Sequence, residues 1–445
     1  MPVAFTRKST VQLVNDASET VVTDALRSLW DQALGRSAWL GRGHHYRGDV
    51  ASTFNASLPR PRHHEASHSP IIGSFSQYVA CSTFLHAFDG WNYLSRSFDA
   101  LLAGERRIAV HLAYYAELRA AMSLLATQGI AILDRRHVGL VNSTTAYYHN
   151  GSTHGICWEF LNAWADSPRG TTSLLTSILT QGATLDTWLD RAGVGPPTRA
   201  LVATDWLKTW SLDLRRFEED QDFRNEVSYR PDSVRWPEPN DFEPVLDAVE
   251  PLVQVWDSLR PVVAGSADQL DRYLLKEALR LAFRRETGRL PRHPRFHTFL
   301  QRLYPDATQA FIDFLGAQGP PDPLLVTAAN HRTVDSPQPV MARATLLLRL
   351  ASAFTFKALD SAGKNLNEAE FWWTKKATEL GLSAAPGGLN SFLDLWDDVQ
   401  VQLEAFEDWK ANVGRPVSTM TMMAVSRPLI GLSQLQRAGL WLLGG

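Results

Sequence analysis

The densest local arrangement of side chains able to do chemistry is the string Phe223-Arg224-Asn225-Glu226-Val227-Ser228-Tyr229-Arg230-Pro231, at the end of a long helical stretch. On a helix, residues four apart nearly align, so Arg224 and Ser228 share a face and Asn225 and Tyr229 form a second such pair. A guanidinium presents a planar fork of donors that fits a phosphate, and an amide and a phenol can orient it. The same residues also suit a plain helix C-terminus, where Arg and Tyr satisfy the last carbonyls or pair with Glu218, Glu219, Asp220 and Asp222.

Arg-Asn followed by Tyr resembles the signature of the HEPN superfamily, helical domains that are often RNases in bacterial toxin and defence systems. Tyr229 stands where that family has its catalytic His. The stretch from His111 to Ala121, HLAYYAELRAA, is similar to the opening helix of such bundles. The resemblance covers about residues 80–260 and implies a HEPN-like bundle in which Arg224 steadies a phosphate, with Asn225 and Tyr229 beside it. A phenol with a pKa near 10 is a poor general base at neutral pH. The departure therefore points to a non-catalytic domain, and the resemblance implies an accessory component of a bacterial antiphage defence system, acting on RNA or through assembly with other defence-system subunits. A metal-independent ribonuclease using Arg224 and Tyr229, with a histidine such as His154 assisting, stays open. So does a structural helical scaffold.

A second chemistry-bearing stretch is Arg280 to Arg302. Arg280, Arg284, Arg285, Arg289, Arg292, Arg295 and Arg302 fall there with one acid, Glu286, in a chain whose net charge is only −3. Interleaved with them are Phe296, His297 and Phe299. Cations among flat rings suit a phosphate backbone with exposed bases, so this stretch is the candidate interface for RNA or single-stranded nucleic acid. The competing reading is that the arginine stems cover apolar surface and the rings are core.

Other reactive types have plainer settings. His63, His64 and His68 beside Glu65 offer metal-ligand spacing but sit among Pro and Ser, as a solvated loop would. Cys81 and Cys157 lie in apolar helical surroundings and read as buried thiols. No phosphate-cradling Gly-rich loop, H-E-x-x-H or G-x-S-x-G string occurs. No metal and no cofactor are expected.

The elements that must position these groups are helical almost throughout. Apolar residues at three-to-four spacing predict helices over about 18–35, 106–128, 154–166, 171–181, 183–192, 200–227, 241–260, 267–287, 307–316, 338–360, 367–381, 389–412 and 428–442. Gly129 is the expected stop of the second of these. Residues 130–148, rich in β-branched and aromatic types, predict one small β-hairpin. The fold class is all-α with two helical lobes. Residues 1–69 form an N-terminal helix and irregular connection, 70–260 the HEPN-like domain, and 261–445 a C-terminal helical domain carrying the basic stretch 280–302.

Composition excludes several classes. With 44% hydrophobic and 20% charged residues the 445-residue chain is globular, and two cysteines cannot make a disulfide framework. No window suits a membrane span or a secretory leader, so a cytoplasmic protein without a membrane partner is expected, and a homodimer is left open. The 15 tryptophans fall mostly among apolar neighbours on predicted helices, as packing residues would. Arg349, in a run apolar almost all round, requires an acidic partner if buried.

Overall fold

The computed structural model describes residues 4–31, 72–180, 182–210, 245–260, 269–292, 294–317, 323–330, 336–364, 370–382, 393–413 and 427–442, together with Asp222, Asn225 and Glu368. In chain order the first elements are β1 (Ala4–Arg7), α1 (Thr10–Asp16), α2 (Glu19–Asp31), α3 (Ile72–Leu102), α4 (Arg106–Thr127), β2 (Ile130–Ala131), β3 (Arg136–Leu140) and β4 (Thr145–Asn150). Then come α5 (Thr153–Ala165), α6 (Pro168–Ser177), β5 (Leu179–Thr180), β6 (Ala183–Thr184), α7 (Leu185–Arg191), α8 (Pro196–Trp210), α9 (Val245–Leu259) and α10 (Gln269–Thr287). The remainder is α11 (Arg295–Leu303), α12 (Gln309–Gly316), α13 (Pro323–Ala329), α14 (Gln338–Ser361), α15 (Glu370–Glu379), α16 (Leu393–Val413), α17 (Arg427–Leu432) and α18 (Gln436–Leu442). The architecture is all-α in character, with small sheets appended.

The centre is an antiparallel pair, α3 and α4, with α14 laid against both. Helix α4 is buried on nearly every side from Ala109 to Thr127, which is why its apolar residues show little one-sidedness. Gly90 makes the close approach feasible: a Cβ there would stand 2.4 Å from Leu348 Cδ2 and 3.3 Å from the Ala116 carbonyl oxygen. Gly129 ends α4 with φ +83°, the left-handed conformation that glycine adopts without strain. Several buried polar groups here are satisfied across helices. Trp91 Nε1 donates to Ser352 Oγ at 3.2 Å, and Ser123 Oγ donates to the Thr83 carbonyl at 2.6 Å.

The expected hairpin is present as β3 and β4, but it is part of a four-stranded sheet ordered β1-β4-β3-β2. Strand β1 runs parallel to β4, with Phe5 opposite Ala146 and Arg7 opposite Tyr148. Four residues give too short an alternation to reveal a strand, and its partner lies about 140 positions away, so only the folded chain identifies it. A second two-stranded ribbon joins β5 and β6. The predicted closing helix 428–442 is two helices. At the break the Leu432 carbonyl accepts Trp256 Nε1–H at 2.7 Å and the Ser433 carbonyl accepts Ser95 Oγ–H at 2.6 Å.

Both core clusters cross the lobe boundary expected at 260/261. One joins Leu94, Tyr114 and Trp158 to Leu274, Met341 and Leu347, and the other joins Val22, Phe75 and Phe84 to Leu359, Trp372 and Leu395. Trp30, Trp158, Trp164, Trp188 and Trp256 are buried, as their apolar settings predicted. Each large side chain so buried contributes about 1.5–3 kcal/mol. No helix among the described residues is long and apolar enough to cross a membrane.

Candidate functional site

The basic stretch is laid out over the end of α10, a connection and the start of α11. Arg284, Arg285, Arg289, Arg292 and Arg295 are exposed, and Glu286 is the acid among them. Burial pushes the Glu286 carboxyl above its ordinary value, against the pull of Arg302. The rings do not join the cations on the surface. Phe296 is 2% and Phe299 8% exposed, and both pack on Phe283 with centroids 5.2 and 5.4 Å away. Phe296, Phe299, Leu300 and Leu303 form the buried stripe of α11, a helix that the prolines at 291 and 294 obscured in the sequence. Their i, i+3, i+4, i+7 spacing was the signal for it. The surface therefore offers charge to a phosphate backbone but not Phe296 or Phe299 as stacking platforms for bases.

Arg280 belongs to a different setting, and with it come two residues that sequence reading passed over. Arg272, Lys276 and Arg280 follow one another at four-residue spacing along α10 and face α12. The Arg272 guanidinium lies over Phe311 and Phe314, 5.3 and 4.8 Å from their centroids. Lys276 Nζ lies 5.1 Å from Phe314 and 5.7 Å from Tyr273. Arg280 pairs with Glu277 at 2.7 Å and donates to the Ala317 carbonyl at 2.6 Å.

Lys276 is only 3% exposed, and its described surroundings contain rings rather than an acid bonded to Nζ. Burial lowers its pKa, the neighbouring Arg280 lowers it further, and Glu277 opposes both. Burial likewise lowers that of Arg272, whose Nε has no hydrogen-bond acceptor. The Lys276 stem is buried while its ammonium lies against the rings, each contact contributing about 0.5–2 kcal/mol. With Arg272 and Arg280 on the same face, the seam between α10 and α12 is electropositive.

Of the Arg-Asn-to-Tyr string, Asn225 is helical and half-buried, whereas Arg224 and Tyr229 lie outside the described residues, as do His63, His64 and His68. The upstream stretch of the resemblance falls within α4. Its Tyr114 is fully buried, with its hydroxyl 2.8 Å from His154 Nδ1 in the first turn of α5. Tyr115 touches the edge of His154, and His111 and Tyr93 lie against Tyr115. His154, His111, Tyr115 and Tyr93 are half-buried, which makes this a ring-and-imidazole cluster open on one side. Glu117, one turn further on, faces Arg343 at 3.6 Å in the core, and Arg119 Nη1 lies 3.0 Å from His86 Nδ1.

The thiols are as buried as their surroundings implied. Burial pushes the Cys157 thiol up and out of the reactive range, despite Arg119 nearby. His86 turns to Arg119, and this contact takes up its Nδ1. His137 is structural: Leu133 N–H donates to Nδ1 at 3.3 Å, so the proton sits on Nε2, 3.2 Å from the Gly151 carbonyl. Burial, opposed by the Gly151 carbonyl, lowers its pKa to about 4. Arg349 has the acidic partner it required, Asp271, at 2.7 Å.

A polar cleft of about 360 Å³ opens between α2, the end of α4 and α14, lined by Glu19, Thr23, Asp24, Gln128 and Lys357 among others. Lys357 Nζ donates to Thr176 Oγ1 at 2.5 Å there. Arg169, beside it, is spent on the Ala17 and Gln128 carbonyls. Charges of both signs line the cleft, and no single ligand charge is selected.

The chain matches no family model, no curated protein and no solved structure.

Proposed function

We propose that this chain is a non-catalytic nucleic-acid-binding protein, an accessory component of a bacterial antiphage defence system. The observation that carries the binding is the row Arg284, Arg285, Arg289, Arg292 and Arg295, each exposed, in a stretch of sequence with one acid on a chain whose net charge is −3. Charge so concentrated on a near-neutral molecule directs it to an anionic polymer through phosphate contacts. RNA or single-stranded nucleic acid is the partner of the proposal. The defence context rests on the HEPN resemblance of residues 80–260, as does assembly with other defence-system subunits; a cytoplasmic location is part of the proposal. The test is binding of labelled single strands to the purified chain, which drops when Arg284 and Arg285 are replaced by Glu; unchanged affinity removes the row from the argument.

One observation favours a second reading, an active ribonuclease: the half-buried His154 is bonded to Tyr114 beside His111, a setting in which imidazoles can carry protons. Bulk RNA incubated with the protein, with and without chelator, tests it. Cleavage that survives in Arg224→Ala would sink the version that relies on Arg224.

A further inference from the structure

We infer that the seam between α10 and α12 is a seat for a phosphate monoester, held by Lys276 with Arg272 and Arg280 on either side. The carrying observation is Lys276 itself. It is a side chain 3% exposed whose ammonium lies against the rings of Tyr273 and Phe314 and, among the described residues, bonds to no carboxylate, carbonyl or hydroxyl. Its neighbours add to the demand rather than relieve it. Arg272 contributes a second cation over Phe311 and Phe314, with Nε lacking an acceptor, and Arg280 Nε lacks one as well.

Charge selects the class of ligand. Among the described residues three cations face one acid in contact, Glu277, which leaves an excess of two positive charges. Asp313 on α12 is exposed, bonds to Gln309 and forms no ion pair with the three cations. A phosphate monoester carries about −1.5 to −2 near neutral pH, and a backbone diester carries −1. The monoester matches the excess, and its three terminal oxygens suit donors arriving from several side chains. Arg272, Tyr273, Glu277 and Phe314 are partly exposed, and the phosphate would enter from their side.

The position gives the seat a role. Arg284 continues the four-residue spacing of Arg272, Lys276 and Arg280 along the same helix into the exposed row. The monoester would be the phosphorylated end of a strand whose backbone lies on that row, an assignment of source that rests on the nucleic-acid reading. A free nucleotide or inorganic phosphate has the same chemistry without a strand, and separate arms of the experiment distinguish them.

The experiment uses the full chain at fixed ionic strength. In the first arm, adenosine 5′-monophosphate and inorganic phosphate raise the thermal unfolding midpoint of the unmodified protein and adenosine does not. Lys276→Met, which keeps the length and apolar stem of the side chain, abolishes the rise, and so does Arg272→Gln, with circular dichroism confirming that both variants fold. Absence of a phosphate-dependent rise, or an equal rise in Lys276→Met, overturns the seat. In the second arm, a 5′-phosphorylated single strand binds about tenfold tighter than its 5′-hydroxyl counterpart, and the two become equal in Lys276→Met. Equal binding by the unmodified protein, with the nucleotide response intact, removes the strand end as the source. Failure of every strand to bind, with that response intact, sinks the nucleic-acid reading and leaves the seat standing.

Discussion

The salt dependence of strand binding is where the arginine row makes its most quantitative prediction. Each phosphate neutralised on a single strand releases condensed counterions and contributes about −0.7 to the slope of log K against log salt. Arg284, Arg285, Arg289, Arg292 and Arg295 are exposed, so a strand that engages all of them gives a slope of about −3.5. Raising salt from about 50 to about 200 mM then weakens binding about 100-fold. Replacing Arg284 and Arg285 by Glu removes two contacts and should leave a slope of about −2 or shallower. Lys410→Glu reverses a charge outside the row, at a half-exposed lysine near Glu407, and should keep the original slope. Fluorescence anisotropy of a labelled single strand, titrated at several salt concentrations, reads all three. A slope shallower than about −1 for the unmodified protein, or one equal to it in the double variant, refutes the assignment of the row.

Three further predictions concern the frame that holds these groups. Arg349→Met should destabilise the fold by about 3–5 kcal/mol because it breaks the ion pair of the buried Asp271 carboxylate. Arg349→Met with Asp271→Leu should recover part of that in urea unfolding, and a double variant no more stable than the single one would speak against the pairing. His137 is held neutral in the fold at a pKa lowered to about 4, so the unfolded chain binds the extra proton between that value and about 6.5. Stability is therefore fully present above this window and falls by about 2 kcal/mol from neutral pH to about pH 5, and His137→Asn should flatten that part of the pH profile. Gly129→Ala should cost more than about 1 kcal/mol, because the residue has φ +83° and its new Cβ would meet the Ser18 carbonyl oxygen at 2.6 Å. An unchanged urea midpoint would contradict the close approach there.

Much of the helical frame was legible in the sequence because it rests on local periodicity. The stripe from Ile108 to Leu125 predicted α4 to within a residue or two, Gly129 marked its end, and the apolar settings of Cys81, Cys157 and Trp158 predicted their burial. Arg349 was legible as a charge in need of a partner, but the identity of that partner was not, since Asp271 lies 78 positions away. The periodicity over 200–227 predicted a helical place for Asn225, and it has one, while Arg224 and Tyr229 fall outside the described residues.

The sequence by itself determined the helical class, the concentration of arginine after residue 280 and the core role of most tryptophans, because each depends on composition or on spacing within one element. Tertiary structure alone decided three matters. It paired β1 with β4, a match of strands far apart in the chain that no short pattern encodes. It turned Phe296 and Phe299 inward onto Phe283, which separates rings from cations that the linear string interleaves. It also set Lys276 against Phe314 from another helix, with no acid bonded to it among the described residues. An ammonium's need for an anion depends on what other segments bring within a few ångströms, and that is fixed only when the helices pack.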